Sequence, residues 1–323
     1  EHIVQTVNAL HDDIVDLTQR LVGEPSILGN EASVLAVMAA SLEQLGLGPK
    51  KIPIDVQSLS DHEGFAPVPW EYENRYNLAA IEPAVGEGGR SVLLNGHLDV
   101  VSPEPVGLWQ QDPFKPEIRD GWLYGRGAGD MKSGVAAMAY ALHAVKKAGF
   151  GLKAPVTINA VIEEECCGNG ALASVMAGYD ADAILIPEPF GPTILTHQLG
   201  VVWFKVVAKG VPSHVLAAQS GTNAIEKMYP LITGLRQLDS QLNSSNIPEP
   251  YDKMHHPINL NIGIIKGGDW PSTVPAEAEF HARLSYFPGI RFLEIKQQIV
   301  QAVERASKAD PWLSDNPPEV EFY

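Results

Sequence analysis

The sequence predicts an α/β protein in two parts: a mostly parallel sheet flanked by helices, then a ferredoxin-like α+β unit. Three observations carry this expectation. As far as Gly191, short apolar runs that read as strands alternate with helical patterns. After Gly191 the order becomes βαββαβ, which is that of a ferredoxin-like unit able to fold as its own domain. At 323 residues the chain is long enough for two domains, and 45% hydrophobic with 19% charged residues is ordinary for a globular protein.

The elements follow in order. Ile3, Val4, Val7, Leu10, Ile14, Leu17 and Leu21 fall at helical spacing and predict one amphipathic helix. Residues 31–45 read as a helix, 91–94 as a buried strand, and 133–148 as a helix closed by Gly149. Residues 156–162 and 183–186 are apolar and read as buried strands. The polar, aromatic and Pro-containing stretch 53–75 reads as loop. In the second part, strands are expected at 201–207, 258–265, 277–284 and 319–323, with helices at 223–238 and 292–308. Residues 241–256 read as a loop within it.

Charge and composition exclude several roles. A formal net charge of −16 repels phosphate backbones and argues against a nucleic-acid partner. No apolar run reaches the roughly 18 residues needed to cross a bilayer, and residues 1–22 lack the basic start of a signal peptide. Cys166 and Cys167 are adjacent, which is poor geometry for a structural disulfide. The chain therefore fits a reducing compartment, and a cytoplasmic protein is expected.

Four segments carry chemistry. Asn95-Gly96-His97-Leu98-Asp99 leaves a strand with His97 and Asp99 on one face. An imidazole beside a carboxylate suits a metal ligand held by its neighbour, although a histidine in a strand-end turn is the plainer alternative. Gly125 to Gly134 resembles a phosphate loop, but Asp130 and Met131 intervene before Lys132-Ser133. A carboxylate at the mouth of a helix repels phosphate and attracts a cation; a simple helix cap is its other reading. Glu163, Glu164 and Glu165 leave an apolar strand together, where neighbours in extended chain point oppositely and could serve as ligand and base. A solvated acidic loop is the commoner source of such a run. Cys166 and Cys167 lack the further ligands of a thiolate site and read as packing residues. Glu188 lies just past the strand at 183–186. Ligands of open α/β sheets gather at the carboxyl ends of strands, and His97, Asp130, Glu164 or Glu165, and Glu188 all lie at or near such ends.

His97, Trp109, Asp112-Pro113-Phe114, Asp120-Gly121 and the run from Leu123 to Gly134 together closely resemble the dizinc amidohydrolase family, which contains acetylornithine deacetylase, succinyl-diaminopimelate desuccinylase, aminoacylase and carboxypeptidase G. The resemblance implies a zinc-exopeptidase-like catalytic domain over 1–197 and a lid and dimerisation domain over 198–323. It implies that His97 and Glu188 bind one metal, Asp130 bridges both, Glu165 binds the second, Glu164 is the general base and Asp99 supports His97. The register follows from Gly170, matching a glycine after the family's acidic pair; slipped by one, Glu163 becomes the base. Lys209 to His214 and Gly221 to Ile225 match the lid signature, in which the histidine steadies the oxyanion in the partner subunit's site. Arg283 matches an arginine that holds the substrate's carboxylate.

The sequence departs from the family at Ser272-Thr273-Val274-Pro275, where members often carry Asn before Val-Pro. The family's last ligand, a histidine in the returning part of the catalytic domain, has no match up to Tyr323; His255 and His256 do not correspond to it. The expectation is therefore a chain that represents part of a longer protein. The implied activity is hydrolysis of the amide bond of a small N-acyl amino acid, using two divalent ions, zinc first and cobalt or manganese as alternatives. The implied partners are a small N-acylated amino acid or short peptide and a second copy of the chain through the lid. The alternatives are a di- or tripeptidase of the same family, and a non-catalytic binding protein that keeps the fold. Nucleotide binding at Gly125 to Ser133 fails on Asp130.

Overall fold

Apolar residues at helical spacing open the chain, but they build two helices where one is expected. α1 (His2–Ala9) and α2 (His11–Val22) part at Leu10, whose φ of −101° and ψ of 7° leave the helical region. The break lets Leu10, Leu17, Leu21 and Val22 all reach the core, whereas Val4 remains exposed. The computed structural model describes residues 1–191, 193–244 and 246–323. It divides into two units, Glu1–Pro192 and Thr193–Tyr323.

In the first unit α3 (Ala32–Gln44), β1 (Lys50–Pro53) and α4 (Val56–Leu59) precede β2 (Tyr76–Glu82) and β3 (Val92–His97). A hairpin of β4 (Glu117–Arg119) and β5 (Trp122–Tyr124) leads to α5 (Ser133–Lys147), β6 (Val156–Val161), α6 (Asn169–Met176) and β7 (Ala183–Leu185). The sheet order is β1-β2-β6-β3-β7. β3 runs parallel to β6 and β7, as expected, but β1–β2 and β2–β6 are antiparallel, so the sheet is mixed. Local periodicity shows that a segment is a strand and is silent on its direction, which the path of the whole chain sets. The stretch expected to be loop contributes the end of β1 and the short α4.

Leu17, Leu35, Met38, Leu78, Val135 and Ile158 form the centre of this unit's core. The strand at 183–186 is a correction. Ile184, Leu185 and Ile186 are 54%, 58% and 52% exposed, because β7 is the last strand of the sheet and pairs only with β3.

The second unit follows the expected βαββαβ order: β8 (Gly200–Lys209), α7 (Ala224–Leu242), β9 (Leu260–Gly267), β10 (Glu277–Tyr286), α8 (Phe292–Lys308) and β11 (Glu319–Phe322), with a short α9 (Pro311–Asp315) before the last strand. All neighbours are antiparallel in the order β11-β8-β10-β9, the ferredoxin-like arrangement. Phe204 and Phe280 from the sheet meet Leu231, Ile295 and Ile299 from the helices. Among the described residues no helix is long and apolar enough to cross a membrane.

One polar tie closes this unit. The Asp310 carboxylate accepts the N–H groups of Trp312 and Leu313 at 2.9 and 3.0 Å, capping α9, and pairs with Lys227 of α7 at 2.9 Å. Burial pushes the Asp310 carboxyl up, but the Lys227 hydrogen bond and the cap N–H groups outweigh it and hold the group below its ordinary 3.8. A depressed folded value contributes stability above 3.8 and loses it as pH falls through the folded value. Asp310→Ala is expected to cost about 1 kcal/mol near neutral pH in urea denaturation. The gap from wild type should shrink as pH falls below 3.8.

Candidate metal centre

The parallel half of the first sheet positions the site. His97 is the last residue of β3, Glu163 to Glu165 follow the neighbouring β6, and Glu188 lies three residues past β7 on the other side. Asp130 comes from a π-turn, Ala128–Lys132, that leads into α5, where Asp130 and Met131 leave the helical φ/ψ region. Asp130 makes no capping hydrogen bond, so the helix-cap reading does not hold.

His97 is the centre of the cluster and is 1% exposed. Its Nε2 lies 3.1 Å from Asp130 Oδ1, 3.7 Å from Glu188 Oε1 and 4.0 Å from Glu164 Oε2. One atom each from His97, Glu164 and Glu188, and one each from His97, Asp130 and Glu165, form two overlapping groups whose members all lie within 4.8 Å of one another. His97 Nδ1 faces the Asp99 backbone oxygen at 2.9 Å and its Oδ1 at 3.5 Å. A proton on Nδ1 leaves the Nε2 lone pair aimed at the carboxylates.

Asp99 does more than sequence reasoning assigned to it. Fully buried, its carboxylate accepts the backbone N–H groups of Glu164 at 3.3 Å and Glu165 at 3.0 Å, so it holds the acidic turn as well as the histidine. The acids are not in extended chain. Glu163 has φ of 68°, and residues 164–167 form a turn. Glu164 and Glu165 consequently reach the same cluster instead of pointing oppositely. Glu163 faces away: its carboxylate accepts from Trp70 Nε1 and Tyr72 Oη, both at 2.6 Å. Burial and that bond push the Tyr72 phenol up, keeping it a donor. The slipped register, with Glu163 as base, therefore has no place at the cluster. Cys166 and Cys167 are free thiols with Sγ atoms 3.5 Å apart, packed against Glu163.

Lys132 also escaped the sequence reading. Completely buried, its Nζ donates to the backbone oxygens of Leu21 and Glu24 at 2.8 and 2.9 Å and ties the Asp130 turn to the end of α2. Burial lowers its pKa to about 7. The signal available was a lysine inside a Gly-rich run just ahead of an apolar helix.

The electrostatics test whether a cation fits. Among the described residues none of Asp130, Glu164, Glu165 and Glu188 has a Lys or Arg ion pair. Burial raises the Glu165 and Glu188 carboxyls to about 7, and the Asp130 and Glu164 charges add to it against the opposing pull of His97. Glu164 is raised too, by burial first and by the Asp99 and Asp130 charges, against His97. Burial works against the His97 imidazolium, yet its contact with Asp99 and the charges around it lift it to about 10. Four carboxylates around one imidazole, without a basic partner, form the hard oxygen and nitrogen donor set that zinc, cobalt or manganese takes. The residues fit a divalent ion.

A mixed α/β sheet with this donor set at its carboxyl edge defines a protein of the metal-dependent hydrolase type. Comparison makes this specific. Residues 93–322 match the model of peptidase family M20/M25/M40, and the chain belongs to that family. It is 28% identical over 265 residues to N-formyl-4-amino-5-aminomethyl-2-methylpyrimidine deformylase of Halalkalibacterium halodurans, covering 77% of this chain and 60% of that protein. It is 30% identical over 305 residues to acetylornithine deacetylase of Salmonella arizonae, covering 92% and 74%. The structure of human carnosine dipeptidase 1 superposes with a TM-score of 0.73 at 18% identity, over 100% of this chain and 79% of that one. The chain thus spans 60% of the length of the deformylase, less than two thirds of it.

His214 and Arg283 lie in the second unit. His214 is exposed and caps a 3-10 turn, Val215–Ser220, through its Nδ1, which accepts the Leu216 N–H at 3.2 Å. Arg283 is half-buried on β10 opposite Trp203 and Asn261.

Close backbone contact fixes Glu188. A Cβ at Gly134, in the first turn of α5, would collide with the Pro187 carbonyl oxygen and press on the Pro187 ring. Gly134→Ala is expected to destabilise the first unit by about 1–3 kcal/mol in urea denaturation, since backbone atoms cannot swing aside. Unchanged stability would mean the contact is loose.

Proposed function

We propose that this chain carries the metal-binding part of a hydrolase that cleaves the amide bond of a small N-acyl amino acid. The observation that carries the reading is the convergence of His97, Asp130, Glu164, Glu165 and Glu188 at the edge of three adjacent parallel strands, with no basic partner among the described residues. In this reading His97 and Glu188 would hold one divalent ion, Glu165 a second, and Asp130 would serve both. Zinc is the first choice, with cobalt or manganese chemically acceptable. Two such ions would supply Lewis acidity to polarise the scissile carbonyl and make water a nucleophile near neutral pH.

The chain's own residues do the rest. Glu164 takes the proton of the attacking water as the oxygen bonds to the acyl carbon, then delivers it to the leaving nitrogen as the C–N bond breaks. The products are a carboxylate and a free amine. Asp99 keeps the His97 ring oriented and the Glu164 backbone in place. His214 is assigned to the oxyanion in the partner subunit of a homodimer. Its Nδ1 accepts a backbone N–H, which leaves the ring proton on Nε2, the form a donor to an oxyanion requires. Arg283 is assigned to the substrate's carboxylate, which suits a planar fork of donors.

Relatives at 28% and 30% identity are named as a deformylase and a deacetylase, and both remove an acyl group from nitrogen, which favours deacylation over peptide cleavage. The cytoplasm is the location we assign, on the ground that Cys166 and Cys167 are free thiols.

Metal content by mass spectrometry tests the reading. Wild type is expected to retain zinc and Glu188→Ala to lose it; wild type that stays metal-free after incubation with zinc, cobalt or manganese overturns the proposal. Glu164→Gln is expected to keep its zinc while kcat for an N-acetyl amino acid falls by about 10²–10⁴-fold. Faster turnover of free dipeptides than of N-acyl amino acids would make the protein a dipeptidase.

A further inference from the structure

Glu163 stands outside the converging set and yet is held as firmly as any carboxylate of the first unit. It is completely buried, and its oxygens take hydrogen bonds from Trp70 Nε1 and Tyr72 Oη at 2.6 Å each. Arg75 Nη1 lies 2.7 Å from Oε1, an ion pair without the alignment of a hydrogen bond. The same guanidinium grips buried Glu31, at the start of α3, with Nη2 at 2.7 and 2.6 Å and Nε at 3.2 Å. Two buried acids thus share one cation, an expensive arrangement for packing alone.

What this clamp secures is a change of direction. In an extended chain Glu164 and Glu165 would point to opposite faces. Glu163 instead adopts φ of 68°, and its backbone oxygen accepts the N–H groups of Cys167 at 3.2 Å and Gly168 at 2.7 Å, closing the turn. Beyond that turn both following carboxylates face His97. A positive φ by itself asks for Gly or Asn, not for a buried glutamate. The side chain must therefore serve more than the turn's conformation, and apart from the Cys167 thiol at 3.3 Å its partners come from the single segment 70–75. The backbone N–H groups of Glu164 and Glu165 are meanwhile held by Asp99, so the turn is fixed from both ends.

We propose that Glu163, clamped by Trp70, Tyr72 and Arg75, is a positioning residue that aims Glu164 and Glu165 at the metal centre. The inference rests on the reading of those two as base and ligand. It gives the 70–75 segment, distant in sequence from every ligand, a direct hold on the chemistry.

The test is zinc affinity, measured by competition with a chelator, together with kcat, KM and melting temperature. Glu163→Gln keeps the shape and removes the charge; Glu163→Gly keeps the φ and removes the clamp. Both are expected to weaken zinc binding by about 10–100-fold, with kcat falling and KM little changed. Leu142→Ala, a buried change in the core of α5, is the stability-matched control and should leave zinc affinity intact. Wild-type zinc affinity in Glu163→Gly overturns the inference, as does an equal loss in Leu142→Ala. If both Glu163 variants fail to fold, Tyr72→Phe decides, weaker zinc binding supporting the proposal and unchanged binding refuting it. Wild type that binds no zinc would remove the metal centre itself, and the inference with it.

Discussion

Carboxylates crowded into a few ångströms repel one another, and at this sheet edge no lysine or arginine among the described residues relieves them. That constraint shapes the first unit. At an effective dielectric of about 20, two unit charges 4 Å apart interact by about 4 kcal/mol, and here four acids surround one imidazole. Protonation relieves part of this, which is why burial and mutual repulsion drive Glu165 and Glu188 to about 7. Divalent cations would offset more of it, and the oxygen and nitrogen donors are those such cations take.

Keeping repelling groups together requires support from behind, and the unit supplies it with backbone and buried polar contacts. Parallel strands β6, β3 and β7 bring three of the segments to one edge. Lys132 anchors the Asp130 turn to α2, the bare Gly134 lets α5 press against Pro187 beside Glu188, and Asp99 grips both His97 and the acidic turn. Each device acts on main-chain atoms, which have fewer ways to relax than a long glutamate side chain. Beneath the turn, the Glu31–Arg75–Glu163 chain extends the same logic one layer deeper.

How much of this could be read beforehand depended on whether the signal was local. β3 and β6 were legible because apolar runs ended in polar, chemistry-bearing residues, and the ferredoxin-like order of the second unit was legible because each strand and helix kept its own period. His97, Asp130, Glu164, Glu165 and Glu188 were legible as residues at strand ends and in motifs. The antiparallel entry of β1 and β2 was not, since strand direction is a property of the whole path. The exposure of β7 was hidden for a related reason: an apolar run looks the same whether the strand is covered or lies at an edge. α6 begins within Gly168-Asn169-Gly170, a loop-like string, and becomes a helix start through the fit of Gly170 against Ile162 and Asn77. Arg75 and Glu31 carried no pattern at all, because a buried ion pair between residues 44 apart is a tertiary fact. Glu163, Glu164 and Glu165 are the same residue type, and Gly170 set their register only through the family resemblance; the left-handed turn at Glu163 gives the physical distinction.

The most direct measurement is a crystal structure of the zinc-loaded protein with anomalous diffraction data collected at the zinc edge. The account predicts zinc against His97 and Glu188 and zinc against Glu165, with the Asp130 carboxylate touching both and Glu163 still turned away on Trp70 and Tyr72. Anomalous density elsewhere, with His97 still directly bonded to Asp130 at saturating zinc, would contradict it.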